Sequence, residues 1–157
     1  MKRGITTAVA VVLAVSALAG CSIIGLLFMR VTQEEVDEAF GLTFGAYFGA
    51  ALQIGFGGEV PGVTLDEATG TMTFTDLDVQ DFFEDSSIPY TTMSGTFEPS
   101  DDETEIYADI ELEGGPVSVI EYSLTEDFLN AAFGGTETAT IAVRANYQDF
   151  TVTIEPE

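Results

Sequence analysis

The chain has 157 residues, 27 of them acidic against four basic, with one cysteine and neither histidine nor tryptophan. Phosphate binding needs a basic face, so this balance excludes nucleic acid as a partner. A single thiol excludes internal disulfides and cysteine-rich zinc sites.

At the amino end Met1, Lys2 and Arg3 give a basic start, followed by an apolar run over residues 5–17 and then Leu18, Ala19, Gly20 and Cys21. A basic start before a short apolar core has the flanks of a secretory signal. The tetrapeptide resembles the lipobox of the bacterial lipoprotein class. That resemblance implies cleavage before Cys21 by signal peptidase II, a diacylglycerol thioether on the Cys21 sulfur, and acylation of the new amine, for instance with palmitate. It also implies an extracytoplasmic protein held by lipid at the cell membrane or the outer membrane. The uncharged stretch over residues 5–29 is equally long enough for an uncleaved transmembrane anchor, which needs roughly 20 apolar residues. Placement of the chain's one cysteine directly after Leu-Ala-Gly favours lipidation. The expected organisation is a signal peptide over residues 1–20, a lipidated and apolar lead-in over 21–31, and one acidic domain over 32–157.

All 27 acidic residues follow Cys21, and of the four basic residues only Arg30 and Arg144 do. Two explanations fit this charge. One is a solvated surface suited to salty surroundings, where a Debye length of about 3 Å at 1 M suppresses self-repulsion. The other is divalent-cation binding by acidic loops, with Asp76, Asp78, Asp81 and Asp85 as weak candidates and a second run over residues 101–105. The first run departs from the EF-hand pattern, because Asp81 takes the place of the turn glycine and Ser87 that of the closing glutamate. No metal site is expected from it.

Thr32, Gln33, Glu34 and Glu35 fit a capping box and open a helix, with acidic residues at the positive end of its dipole. No charge occurs over residues 39–57. Val36, Phe40, Phe44, Tyr47, Phe48, Ala51 and Leu52 recur at the spacing of one helical face. Gly41, Gly45 and Gly49 form a second face. Each glycine costs a helix interior roughly 0.8–1 kcal/mol, so their regularity predicts a close-packing surface. Such spacing also marks packing faces of membrane helices. Thr43 and Gln53 interrupt the run and favour a helix clamped on a water-soluble core.

Beyond Gly57 and Gly58 the pattern changes to alternation and turns, as in antiparallel strands. Val63, Leu65, Met72 and Phe74 are predicted inward residues of a hairpin turning near residues 68–70. A third strand is expected over 90–97. Ile106, Ala108, Ile110 and Leu112 alternate with polar residues as a strand with one buried face, and a fifth strand follows over 117–124. Thr125, Glu126 and Asp127 cap a short helix carrying Phe128, Leu129, Ala132 and Phe133, ended by Gly134 and Gly135. Ile141, Val143 and Ala145 are expected to pair with Phe150, Val152 and Ile154 across a turn over 146–149. The predicted class is α+β: a long N-terminal helix packed on an antiparallel sheet of about six to seven strands, with one short helix before the last two strands.

Chemistry has little to work with. Histidine is absent, Lys2 precedes the expected cleavage point, and the thiol is assigned to the anchor, which removes the usual bases and nucleophiles. Carboxylate pairs are too dense to single out one for catalysis. No cofactor motif is present. The sequence therefore points to a non-enzymatic lipoprotein, its partners being the membrane through the N-terminal lipid and another envelope protein. The alternative is a carrier for a lipid or other apolar ligand in a cavity between helix and sheet.

Overall fold

A computed structural model of the chain describes residues 31–155. Leu18, Ala19, Gly20 and Cys21, with the expected cleavage point, lie outside the described residues. Helix α1 spans Gln33–Gly55. Strands β1 (Val63–Asp66) and β2 (Thr71–Asp78) form a hairpin, and a four-residue helix α2 follows at Val79–Phe82. Then come β3 (Thr92–Pro99), β4 (Glu105–Glu113), β5 (Val119–Thr125), helix α3 (Glu126–Ala132), β6 (Ala139–Ala145) and β7 (Gln148–Ile154). The protein is α+β, with a helix packed on one seven-stranded antiparallel sheet whose order is β1 to β7.

The start of α1 is fixed by reciprocal hydrogen bonds. The Glu35 amide donates to Thr32 Oγ1 at 3.1 Å, and the Thr32 amide donates to Glu35 Oε1 at 2.8 Å. Two donors that the first helical turn would leave unpaired are thereby satisfied. Further along, the buried positions are Val36, Ala39, Phe40, Thr43, Ala46 and Ala50. The small residues at 39, 46 and 50 let the helix approach the sheet closely, while larger rings fill in beside them. Tyr47 stacks on Phe97 of β3 at 4.3 Å between ring centroids, and Phe40 lies 4.7 Å from Tyr122 of β5. The predicted stripe is therefore displaced: Leu52, assigned to the inner face, is 59 % exposed.

Alternation places one side of each strand in this core. Met72, Phe74, Met93, Phe97, Ala108, Ile110, Leu112, Ile120, Tyr122, Leu124, Ile141, Val143, Phe150 and Val152 are all buried. Full burial of a side chain such as Phe97 or Ile110 stabilises by about 1.5–3 kcal/mol. Gly95, at φ 138°, lets β3 lie against β4 where any side chain would run into the Asp109 carbonyl.

Four details correct the sequence reading. Leu65 is partly exposed at the sheet's edge, paired with Met72. Strands β3 and β5 begin two residues later than expected, because Tyr90 and Val117 are tied to each other: the Val117 amide donates to the Tyr90 hydroxyl at 3.1 Å. In the last hairpin Ala145 pairs with Gln148, and Ile154 with Ala139. Its turn is only Asn146 and Tyr147, both at positive φ (49° and 65°), which is the geometry of a tight two-residue hairpin. The expected acidic loop after β2 contains α2.

Candidate functional site

The outer face of the sheet is a surface to which all seven strands contribute. Because side chains alternate along strands, every residue that flanks a core position points outward. The pairing registers bring Thr64, Thr73, Thr96, Asp109, Glu121, Arg144 and Asp149 into one row crossing all seven strands. On β4, Tyr107 is 59 % exposed on the same side, two positions from Asp109. Arg144 is the single basic residue among the described residues, and its register neighbours are Glu121 and Asp149. Threonine thus dominates one half of the row and charge the other. The alternation of polar residues along β4 is visible in the sequence, but its alignment with the threonines of β1, β2 and β3 is not. Only the registers join them.

The four cation candidates divide. Asp76, Asp78 and Asp81 border one cleft, open to solvent and about 550 Å³ in volume, together with Glu84, Gln53 and Phe82. Asp85 is not among its lining residues. Most of these carboxylates already have local partners. Asp78 Oδ1 accepts from the Asp81 amide at 3.0 Å and so caps α2. Asp76 lies within a register shift of β2, between Phe74 and Leu77, at φ 47°, and its carboxylate accepts from the Ser94 hydroxyl at 3.3 Å. Asp85 accepts from both the hydroxyl and the amide of Ser87, which hold its carboxyl below the usual carboxylate range. In the second run Asp102 is held low in the same way, by the hydroxyls of Ser100 and Thr104. Among the described residues no group of three or more His, Cys, Asp or Glu side chains is placed to hold a metal ion.

The glycine face of α1 is also divided. Phe82 ring carbons lie 3.0 and 3.2 Å from where a side chain at Gly49 would begin, and Phe83 ring carbons lie 3.6 Å from that point at Gly45. At Gly41 nothing lies within 4 Å. The face thus receives the aromatic pair that ends α2, and only over its last two glycines.

Between helix and sheet, one polar contact stands inside the core. Thr43 Oγ1 lies 3.0 Å from the Ala39 carbonyl, 3.1 Å from the Phe40 carbonyl and 2.7 Å from the Tyr122 hydroxyl. Carbonyls only accept, so Thr43 donates to the helix and Tyr122 donates to Thr43. Burial pushes the Tyr122 phenol well above its ordinary range, and the Thr43 hydrogen bond offsets this only in part. Rings occupy the surrounding space: Phe40, Phe97 and Phe128 all pack within this layer.

Comparison with protein-family models, with curated proteins and with solved structures finds no significant match. Among the described residues no helix is long and apolar enough to cross a membrane.

Proposed function

We propose that this chain is a membrane-anchored extracytoplasmic lipoprotein acting as a non-enzymatic interaction or scaffold protein of the cell envelope. The observation that carries the proposal is Cys21, the one cysteine of the chain, standing directly after Leu18, Ala19 and Gly20 at the end of a short apolar core. A lipid pair there would hold the chain stably, whereas one acyl chain holds only weakly. In this reading α1 is a single continuous cover for the inner face of the sheet and belongs to a water-soluble core. The outer face then points away from the helix as the surface offered to a protein neighbour. The row from Thr64 to Asp149 supports that role, because it is regular, partly to fully exposed and rich in hydrogen-bonding groups. The ring-filled layer between α1 and the sheet favours an interaction protein over a carrier of apolar ligands.

In the host, Cys21→Ser is expected to abolish lipid labelling and to leave the unprocessed precursor. Intact mass of the wild-type protein with Met1 still attached and Cys21 unmodified would overturn the anchor. Native mass after gentle extraction tests the role: a stoichiometric protein neighbour supports the scaffold, and a co-purifying apolar molecule in its place supports the carrier.

A further inference from the structure

Beyond its acidic opening turns, helix α1 lacks the charged face that a helix on a protein surface ordinarily has. Residues 39–58 carry no charge, yet only one side of the helix faces the sheet. Turned away from the sheet at four-residue spacing are Phe48, Leu52 and Phe56, of which Leu52 is 59 % and Phe56 88 % exposed. Phe133, at the end of α3, places its ring 4.6 Å from that of Phe48 and extends the same apolar surface. A helix that is apolar all round is ordinarily covered all round. Exposed apolar surface of this kind on a chain so acidic elsewhere marks a contact region.

We infer that this flank rests on the surface of the lipid bilayer to which Cys21 tethers the chain, an inference that depends on the lipoprotein reading above. The first argument is reach. About eleven residues separate Cys21 from Thr32, and at ~3.6 Å each they span at most about 40 Å. Phe48 to Phe56, the last at the helix C-cap, lie about 24 to 36 Å along the axis of α1 from Thr32, at 1.5 Å per residue. The tether therefore lets the aromatic flank meet the surface that holds the anchor, with α1 tilted so that the acidic residues of its opening turns, Glu34, Glu35, Asp37 and Glu38, stand off the lipid. The second argument is charge. Bringing carboxylates against lipid is costly, and this is the stretch of the domain from which they are missing. The third is effective concentration: a few aromatic side chains bind lipid weakly in free solution, but a short tether holds them at millimolar local concentration. A second copy of the chain has no such tether to this flank and brings its own acidic surface with it.

The test uses the full-length, natively lipidated protein in phosphatidylcholine vesicles. With the Cys21 thiol consumed by lipid, a spin label reacts only at the position changed in Phe56→Cys or, separately, Tyr147→Cys. Both native side chains are largely exposed, so neither change threatens folding. Collision rates with oxygen, which concentrates in lipid, and with a water-soluble nickel chelate are then compared. The expected result is an oxygen-to-nickel ratio severalfold higher at position 56 than at 147. Equal, water-like ratios at both positions overturn the inference. Shielding of position 56 from both reagents that disappears at low protein-to-lipid ratio also overturns it, in favour of a second copy. Intact mass of the same sample separates the two levels of the proposal. Water-like ratios on a protein with lipidated Cys21 remove the flank alone, whereas Met1 retained with unmodified Cys21 removes the anchor as well.

Discussion

The two outward surfaces of this domain are made by different rules. On strands such as β4 and β5, a buried side chain alternates with an outward one that is mostly a hydroxyl or carboxylate, so that burial of one face accounts for the pattern of both. On α1, the side facing the sheet is buried and the side facing away is still apolar, with Leu52 and Phe56 exposed where charge would be expected. Packing on the sheet explains the first helix surface and α2 covers the last glycines of the second, but Leu52 and Phe56 stay exposed. The contrast separates a demand of folding from a demand made by surroundings.

Charge insertion sets the two sides of α1 against each other most strongly. Ala46 is fully buried against the sheet, and Ala46→Asp puts an unpaired carboxylate there. The expected loss exceeds about 4 kcal/mol, enough to unfold a typical domain. Phe56→Asp, on the exposed side, is expected to change stability by no more than about 0.5 kcal/mol. Thermal melts followed by near-ultraviolet circular dichroism compare the two, and equal losses would mean that the sides are not distinct.

A smaller contrast lies along the glycine face. Gly49→Leu drives new carbons into the Phe82 ring and should cost about 1 to 3 kcal/mol by overpacking. Gly45→Leu meets Phe83 with more room and should cost less. Gly41→Ala, with open space around it, should gain about 0.8 to 1 kcal/mol of helix propensity. Urea titrations rank the three, and a neutral Gly49→Leu would break the proposed contact with α2.

The smallest effect concerns the polar contact between helix and sheet. Tyr122→Phe removes one buried hydrogen bond, while Thr43 keeps its carbonyl partners, so the expected loss near neutrality is about 1 kcal/mol. Alkaline pH gives this a sign. Folding raises the Tyr122 pKa above the ordinary 10.0, so its contribution is complete below about pH 10 and is lost as pH rises further. Tyr122→Phe should therefore flatten, without abolishing, the fall in melting temperature above pH 10, since Tyr47 and Tyr90 are shifted upward as well. An unchanged alkaline slope would show that Tyr122 is not the group being titrated.

What was legible in the sequence follows from how local each signal is. The capping box at Thr32 and Glu35 lies within one turn, and the alternation around Ala108, Ile110 and Leu112 lies within one strand. Helix α2 has only four residues, too few for any periodicity, so Asp78 read as a loop carboxylate when it is a helix cap. Tyr147 at positive φ gave no turn signal, because that conformation usually selects glycine or asparagine. The register of the last hairpin slipped with it. Of the candidate surfaces, the uncharged run of α1 was visible, but which of its residues faced outward was not, since Leu52 and Phe56 differ from Phe40 only by their place around the helix. The row across the outer sheet face depended on pairing between strands, which no local pattern encodes.

The order of the strands has a consequence for biogenesis. Each strand pairs only with its neighbours in sequence, so the sheet grows by short, local closures. Helix α1 is different: Thr43 meets Tyr122 across 79 positions, and the Gln33 side chain donates to the Thr151 carbonyl of β7 across 118. A chain delivered amino end first thus presents this uncharged apolar segment long before the last part of its cover arrives. The hazard of residues 39–57 is greatest during synthesis and transit, when they are available to other unfinished chains, and it ends when β7 closes over the start of the helix.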